Sequence, residues 1–328
     1  MNNKPICTVL LITYNHKDYI HKAIQSVLSQ KTKYPFVIKI FDDASTDGSS
    51  DIIREYVDRH PDLIKAYIAK KNHGPQANFW RAFKSIDTKY FCLLETDDYW
   101  TDNKKLELQI SALEDNQDCS FCCHQSLIKN IADETRAIEN NTKLIKNKFV
   151  LSNQKISLGD ILKQPVSTGY ISSATSRLIR TECLNLDKIT HKESVLFDNA
   201  QFYYLLLKGN MYFIDREMSV YNQTGTGTWS GASILQRIKN YNAAMEELME
   251  EMDNDVIKLR LCEEMAAHIQ YCCYVSRPRE NNKVKKKKLS KQLYHYFTPP
   301  FIRDVIKPKT YIRIIKFVFS KIKNSFGK

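Results

Sequence analysis

The sequence has no apolar run that approaches the roughly 18 to 20 residues that a membrane-spanning helix needs. Its N-terminus, MNNKPICTVLLITYNH, contains only a short apolar stretch that polar residues follow at once, so a typical signal peptide is not expected. Hydrophobic residues make up 43% of the 328 residues and charged residues 26%, which is typical of a folded, soluble protein with an ample core. These features predict a cytoplasmic protein.

Familiar nucleotide and metal motifs are also missing. No G-x-x-x-x-G-K-[ST] occurs, which excludes a P-loop, and GTGTWSG at 225–231 has the wrong glycine spacing for a dinucleotide fingerprint. Cys119, Cys122, Cys123 and His124 lack a second pair at zinc-finger spacing, which favours core cysteines on a strand over a zinc site. The nine cysteines are odd in number and lie mostly in apolar runs, a pattern that favours reduced, buried thiols.

The first hundred residues alternate between apolar runs and stretches with helical spacing. Buried strands are predicted in ICTVLLITYN, FVIKIFDD, LIKAYIAKK and KYFCLLETDD, and helices in HKDYIHKAIQSVLSQ, DIIREYVDRH and GPQANFWRAFKSI. This alternation predicts an α/β fold with a mainly parallel sheet that helices cover on both faces.

Polar residues follow three of the predicted strands. Ligands of such sheets bind beyond the carboxyl ends of the strands, so these polar residues should converge on one edge. They are Thr13, Tyr14 and Asn15 after the first strand, Asp42 and Asp43 after the second, and Glu95, Thr96, Asp97 and Asp98 after the fourth. Asp42 is expected to point away from that edge or to cap the STDGSS turn. The carboxylates after the fourth strand require a positive partner.

Four blocks of this region resemble a known family: VLLITYNHKDYIHKAIQSVLSQ, IKIFDDASTDGSSDII, NHGPQANFWRAF and YFCLLETDDYWTDNKKLELQ. In order and spacing they are similar to the family 2 glycosyltransferases, nucleotide-sugar-dependent enzymes that build bacterial surface polysaccharides. The blocks span about 110 residues, and the similarity thins after about residue 125. The resemblance implies a GT-A fold with a mainly parallel central sheet, followed by a helical C-terminal extension.

The resemblance also supplies a partner for the carboxylates. The family's D-x-D motif stands here as Glu95-Thr96-Asp97, with Asp98 next. Carboxylates alone would repel a diphosphate, whereas a divalent Mn²⁺ or Mg²⁺ held by Glu95, Asp97 and Asp98 would bind the oxygens of both. A solvated acidic turn without a ligand is the alternative.

The resemblance places the nucleotide among five residues, of which the carboxylate of Asp43 suits the N–H of uracil or guanine. Tyr14 could equally be a core aromatic. The full set is Thr13, Tyr14, Asn15, Asp43 and Asp97. Four further residues that continue the family pattern are expected to pack the helix after the metal loop rather than to touch substrate: Trp100, Lys105, Leu106 and Gln109.

The acceptor half of the family uses an aspartate as the base that takes the proton of the acceptor hydroxyl. That aspartate opens a helix, which a glycine and a strand follow, and LFDNAQFYYLLLKGNMYFIDREMSVY has this shape with Asp198 as the expected base. Phe197 replaces the glutamate that usually precedes it, and a simple helix N-cap is the alternative. Trp229 and Ser230 of GTGTWSG match a glycine-rich loop and are a candidate lid over the donor. Thr224 stands where the family often has a histidine, so a metal ligand from this loop is not expected.

These features divide the chain into a catalytic domain at 1–235, with a nucleotide-binding half at 1–125 and an acceptor half at 126–235, a helical extension at 236–280, and a basic linker and amphipathic tail at 281–328. The tail has fourteen Lys or Arg against Asp304, a net charge of +13, so the rest of the chain, at −1, is nearly neutral. PKTYIRIIKFVFSKIKNSF places basic and apolar residues on opposite helical faces, which predicts binding to an anionic membrane surface. Nucleic-acid binding has no use for the apolar face and is not expected. A helix that packs on the body is the remaining alternative.

With the resemblance, the sequence implies an inverting, metal-dependent glycosyltransferase at the inner face of the cytoplasmic membrane. It would move a sugar from a nucleotide-diphosphate donor, with UDP-sugar favoured, to a hydroxyl of a lipid-linked or surface glycan such as capsule or lipooligosaccharide. The alternative is a catalytically silent scaffold that binds nucleotide and membrane. A nucleotidyltransferase would carry a glycine-rich phosphate loop near the first strand, and ITYNHKDY has no glycine.

Overall fold

A computed structural model describes residues 4–130, 139–140, 153–163, 172–184, 198–224, 233–250 and 254–275. The chain divides into two compact units, residues 1–232 and residues 233–328. The first unit contains the sheet, and the described part of the second unit is helical.

Four parallel strands form one half of the sheet. They are β1 (Cys7–Thr13), β2 (Phe36–Asp42), β3 (Ile64–Ile68) and β4 (Tyr90–Glu95), in the spatial order β3-β2-β1-β4. All of β1 is buried, as expected for a central strand covered on both faces. The connecting helices are α1 (Lys17–Leu28), α2 (Ser49–Arg59) and α3 (Pro75–Phe83). The predicted alternation of strands and helices is therefore confirmed.

The other half of the sheet is mixed. It contains β5 (Tyr99–Trp100), β6 (Cys119–Asn130), β7 (Glu139–Asn140), β8 (Gln154–Ile156), β9 (Leu178–Arg180) and β10 (Asn210–Gln223). Strand β9 joins the two halves because it pairs antiparallel with both β4 and β6. Strands β6 and β10 are parallel, while β5 and β8 run antiparallel to β10. The result is the mostly parallel α/β fold that the sequence predicts.

Helix α1 illustrates how the sequence covers the sheet. Its buried residues, Ile20, Ala23, Ile24 and Val27, recur at intervals of three and four, so they form one face of the helix. They pack in a cluster with the inward residues of β1, β2 and β4. Full burial of each larger aliphatic side chain contributes about 1.5 to 3 kcal/mol.

Most of the cysteines whose burial the structure describes are buried, as predicted, whereas Cys183 is partly exposed. Cys119, Cys122 and Cys123 on β6 are free and buried, and neighbouring His124 is fully buried. Burial raises the pKa of the Cys123 thiol to about 12 and lowers that of His124 well below its ordinary value. Among the described residues, these side chains form no group close enough to hold a metal.

Five more α-helices lie in the described part of the chain. Helices α4 (Lys105–Asp115), α5 (Leu158–Leu162) and α6 (Asp198–Lys208) belong to the first unit, and α7 (Ile234–Glu250) and α8 (Asp255–Val275) to the second. In the second unit the buried Arg260 pairs with the buried Glu264 at 3.2 Å. None of the helices in the described segments combines the length and hydropathy that crossing a bilayer requires. The predicted membrane-associating tail at 281–328 lies outside the described residues.

Candidate active site

The carboxyl ends of β1, β2 and β4 meet at one edge of the sheet. Thr13 of β1 pairs with Asp42 of β2, and Ile12 of β1 pairs with Glu95 of β4. The backbone N–H of Asp43 donates to the carbonyl of Thr13 at 3.1 Å. The polar residues that follow the three strands are therefore close together, as the parallel topology predicts.

Three carboxylates gather where β4 ends. One oxygen each from Glu95, Asp97 and Asp98 lie within 4.8 Å of one another. Burial raises the pKa of the Asp97 carboxyl, while the nearby His16 acts in the opposite direction. The His16 ring shares a hydrogen bond of 2.8 Å with the Thr96 hydroxyl, which holds it beside this loop. Like charges this close and partly desolvated are unfavourable unless a cation joins them.

This set of donors suits a hard divalent cation. Carboxylate oxygens are the ligands that Mg²⁺ prefers, and they also suit Mn²⁺. Within the described segments, this is the one group of acidic, histidine or cysteine side chains that lies close enough together to hold a metal.

Asn222, near the end of β10, contacts the same loop from the other half of the sheet. Its backbone N–H donates to Oδ1 of Asp98 at 2.8 Å, and its side-chain Nδ2 donates to the carbonyl of Asp97 at 2.5 Å. Asn222 is 5% exposed and Asp98 is 3% exposed. The side-chain Oδ1 of Asn222 is buried without a hydrogen-bond partner among the described residues, so it can accept a hydrogen bond from a ligand.

The three residues at the end of β1 and just after it differ in their burial and contacts. Thr13 is buried, and its hydroxyl has no hydrogen-bond partner within the described segments. Tyr14 is 44% exposed, so it is not a core aromatic. Asn15 has a left-handed backbone conformation with φ of 54°, and it is braced by hydrogen bonds of 2.8 Å to Ser45 and Thr46.

The Asp43 carboxylate organises the loop before α3. It accepts the backbone N–H of His73 at 2.9 Å and that of Gly74 at 2.8 Å, and it is 2% exposed. Gly74 has φ of 88°, a conformation that glycine adopts easily and that turns the chain into α3. Asp43 therefore has a structural role that the sequence pattern did not predict. Two of the roughly four acceptor positions of a carboxylate remain for another donor.

Asp42 caps the turn that follows it, as one of the two sequence alternatives predicts. Its carboxylate accepts hydrogen bonds from the Ser45 amide and hydroxyl and from the Ser50 hydroxyl. This arrangement orients the start of α2.

The residues that continue the motif beyond the loop lie in the interior. Lys105 is fully buried, its Nζ donates to Oε1 of Gln109 at 2.6 Å, and it lies 4.2 Å from the centroid of the Trp100 ring. Burial lowers the pKa of Lys105. Leu106 is also fully buried, so these side chains pack the helix behind the site, as expected.

Helix α6 begins at Asp198 and is followed by Gly209 and β10, which is the predicted order of elements. The buried guanidinium of Arg177 donates to Oε1 of Gln201 at 2.9 Å and so ties the first turn of α6 to the segment before β9. Gly209 is required by close packing, because a Cβ there would lie 2.8 Å from the carbonyl oxygen of Asp118. Trp229 and Ser230, the candidate lid, lie outside the described residues.

Solved structures resemble this arrangement over nearly the whole chain. TarS of S. aureus in complex with UDP has a TM-score of 0.66 at 16% identity and covers 98% of this chain and 92% of its own. The mannosyltransferase PcManGT from Pyrobaculum calidifontis, in complex with GDP-Man and Mn²⁺, has a TM-score of 0.55 at 14% identity and covers 100% of this chain and 89% of its own. At these identities the likeness establishes the fold, which is of the GT-A type.

Sequence relatives match the N-terminal region. An uncharacterized protein of Mycobacterium tuberculosis is 37% identical over 117 residues, 36% of this chain and 34% of that protein. The putative teichuronic acid biosynthesis glycosyltransferase TuaG of Bacillus subtilis is 28% identical over 165 residues, 50% of this chain and 60% of TuaG. The match therefore spans about a third of the first relative and three fifths of the second. The family model described as Glycosyl transferase family 2 matches residues 8–176, just over half of the chain, and the protein belongs to this family.

Proposed function

We propose that the protein is an inverting, metal-dependent glycosyltransferase that moves a sugar from a nucleotide-diphosphate donor to a hydroxyl of a lipid-linked or surface glycan. The observation that carries the proposal is the gathering of Glu95, Asp97 and Asp98 within 4.8 Å at the carboxyl end of β4. Ligands of parallel α/β sheets bind at this edge. Membership of glycosyl transferase family 2 supports the reaction class.

Glu95, Asp97 and Asp98 are the residues that would hold the divalent cation, Mn²⁺ or Mg²⁺. When bound, the cation would neutralise the diphosphate and stabilise the charge that develops on it as the sugar departs. The loop that carries these carboxylates is held to β10, since the backbone N–H of Asn222 donates to Oδ1 of Asp98 at 2.8 Å. The solved structure of PcManGT with GDP-Man and Mn²⁺ supports a metal in this fold.

The donor nucleotide would lie over the ends of β1 and β2, on Thr13, Tyr14, Asn15 and Asp43, with Asp97 towards its diphosphate. The Thr13 hydroxyl, which has no hydrogen-bond partner among the described residues, and the exposed ring of Tyr14 support this assignment. The Asp43 carboxylate retains acceptor capacity for the N–H of uracil beside its two bonds to the loop. We favour UDP because the TarS complexes contain UDP and UDP-GlcNAc.

Asp198 is the proposed base. In an inverting transfer a carboxylate accepts the proton of the acceptor hydroxyl as that oxygen attacks the anomeric carbon, and a positioned base of this kind accelerates the step by about 10² to 10⁴-fold. Asp198 is the first residue of α6, and Arg177 and Gln201 support the turn that it opens.

The acceptor is proposed to be a glycan of the cell surface, assembled at the inner face of the cytoplasmic membrane. The relative TuaG is named for teichuronic acid biosynthesis, which supports this class of acceptor. The fourteen basic residues of 281–328 would hold the enzyme at an anionic membrane surface.

The experiment that tests the proposal is a thermal-shift measurement with UDP, GDP, dTDP and CMP, each with and without Mn²⁺. A ligand that binds the folded state alone raises the melting temperature, so one diphosphate should stabilise the protein selectively and with metal present. Asp97→Ala should abolish the shift, and Asp62→Ala, on an exposed residue, should retain it. A folded protein that no nucleotide stabilises would contradict the proposal.

A further inference from the structure

The loop that carries the three carboxylates is fastened to β10 by a continuous series of contacts. The backbone N–H of Thr101 donates to the carbonyl of Met218 at 3.0 Å. The two residues that precede Thr101 form the short antiparallel ladder of β5 and β10, in which Trp100 pairs with Ser219 and Tyr99 with Val220. Two residues farther along β10, Asn222 makes its bonds to Asp98 and Asp97.

Beyond the β5–β10 pairs, hydrogen bonds between side chains and backbone connect the loop to β10. The Asp98 carboxylate, rather than a strand carbonyl, accepts the backbone N–H of Asn222 at 2.8 Å. The Asn222 side chain in turn donates to the main-chain carbonyl of Asp97 at 2.5 Å. Each contact joins a side chain of one segment to the backbone of the other. Together they hold the loop at the very residues that carry the carboxylates.

We propose that Asn222 and Asp98 form a latch that positions the metal-binding loop, in which Asp98 is the anchor while Glu95 and Asp97 bind the cation. The inference rests on the proposed function and narrows it, because Asp98, one of the three carboxylates proposed to hold the cation, would act by fixing the loop and not as a direct ligand. A carboxylate that accepts a backbone N–H makes a charge-assisted bond that fixes its orientation. Asp98 is also the most buried of the three carboxylates, whereas Glu95 and Asp97 are partly exposed at the sheet edge.

The latch explains why an asparagine can serve at position 222. Its amide supplies a donor to the Asp97 carbonyl, and its main chain supplies a donor to Asp98, without adding a charge beside the cation site. Asn222 is thus a positioning residue. Outer-shell groups of this kind orient metal ligands, and their loss weakens metal binding by about ten- to a hundredfold.

The test compares two neutral replacements of Asp98, so that the loss of charge is the same in both. Asp98→Asn keeps an oxygen that can accept the Asn222 N–H, and Asp98→Ala does not. The purified full chain is titrated with Mn²⁺, and the electron paramagnetic resonance signal of free Mn²⁺ monitors the titration. The dissociation constant is thus obtained without an activity assay. We expect Asp98→Ala to bind Mn²⁺ about tenfold more weakly than Asp98→Asn.

The same pair of replacements at Asp97 provides the matched comparison. If Asp97 is a ligand, Asp97→Asn and Asp97→Ala should both lose Mn²⁺ binding and should differ little from each other. Equal losses in Asp98→Asn and Asp98→Ala would overturn the latch and make Asp98 a ligand. In that case the proposed function would stand. A wild-type protein that binds no Mn²⁺ would overturn the metal site and the latch together.

Asn222 provides a second test that does not depend on the folding of the Asp98 variants. Asn222→Ala removes the donor to the Asp97 carbonyl and should weaken Mn²⁺ binding by about tenfold. Gln223→Ala removes an amide one residue along the same strand and should leave the dissociation constant unchanged. If both variants bind Mn²⁺ as tightly as the wild type, the positioning role of Asn222 is wrong.

Discussion

The carboxylate of Asp43 accepts the backbone N–H of Gly74 at 2.8 Å, and this bond joins the end of β2 to the start of α3. The same carboxylate accepts the N–H of His73 at 2.9 Å. A residue expected to face the nucleotide thus also shapes the loop beside the pocket. Binding and stability should therefore respond together when Asp43 is replaced.

Replacement of Asp43 by alanine should lower the free energy of unfolding by about 1 to 3 kcal/mol, because the backbone N–H of His73 loses a charged acceptor and that of Gly74 keeps only the side-chain oxygen of Asn72. Asp43→Asn, which keeps one acceptor oxygen, should cost about half as much. Urea denaturation measures the change, and Asp58→Asn on the exposed face of α2 is the control. Wild-type stability in Asp43→Ala would show that the bonds to the loop contribute little.

Substitution of Gly209 by alanine should destabilise the protein by about 1 to 3 kcal/mol, the usual cost of overpacking. Its Cβ would lie 2.8 Å from the carbonyl oxygen of Asp118 and 2.9 Å from the amide nitrogen of Ser120, both in the backbone. Gly159→Ala in α5 is the matched control, because the nearest atom to its Cβ is the Ser157 hydroxyl at 3.6 Å. Chemical denaturation should rank Gly209→Ala well below Gly159→Ala, and equal stabilities would contradict the packing of α6 against β6.

Acid should destabilise the fold through His124. Burial and the nearby Lys105 hold the pKa of His124 well below its ordinary value, so the folded state stays unprotonated when the unfolded state takes up a proton. Stability should therefore fall as the pH drops below about 6.5, by up to about 1.4 kcal/mol per pH unit. Urea denaturation at several pH values should give a shallower slope for His124→Gln than for the wild type. Identical slopes would contradict this explanation.

His268 in the second unit should add a similar dependence that also begins at about pH 6.5. Burial lowers its pKa to about 4, so its effect begins at the same ordinary value but ends near pH 4. His268→Gln should flatten the curve of stability against pH between about 6.5 and 4. The double variant His124→Gln/His268→Gln should lose the pH dependence that both histidines contribute. A curve of stability against pH that is unchanged by His268→Gln would contradict the burial of His268.

Replacement of Asp198 by asparagine should lower the turnover of sugar transfer by about 10² to 10⁴-fold, as expected for the loss of a general base. Donor binding, measured by thermal shift, should be retained because Asp198 is assigned to the acceptor step. Asp62→Asn, on an exposed residue, should have wild-type turnover. Unchanged hydrolysis or transfer in Asp198→Asn would assign the base elsewhere. A protein that binds donor and shows no turnover even as wild type would favour the scaffold alternative.

Removal of residues 281–328 should weaken binding to vesicles that contain anionic phosphatidylserine. Each basic residue near such a surface contributes about 1 kcal/mol, so a segment with fourteen of them should account for most of the affinity. Binding of the full chain should fall as salt is raised, because salt screens exposed charges. Equal sedimentation of the full chain and residues 1–280 with these vesicles would contradict a membrane-binding tail.

The sequence alone determined the elements of the N-terminal region and their order. Continuous apolar runs predicted β1, β2 and β4, and spacing of three and four predicted α1, because each pattern reflects which faces an element buries. The position of the carboxylates followed from the same pattern, since the ends of parallel strands share one edge of the sheet. These are local or topological consequences, and they can be read along the chain.

The tertiary structure alone decided the contacts between distant segments. Asn222 and Asp98 are 124 residues apart, and Asp43 and Gly74 are 31 apart, and no periodicity in the sequence relates either pair. The antiparallel insertion of β9 between β4 and β6 was likewise not predicted, because a three-residue strand carries too short a pattern. Such pairings depend on how the sheet closes and which buried N–H groups then need an acceptor, and these conditions arise once the chain is folded.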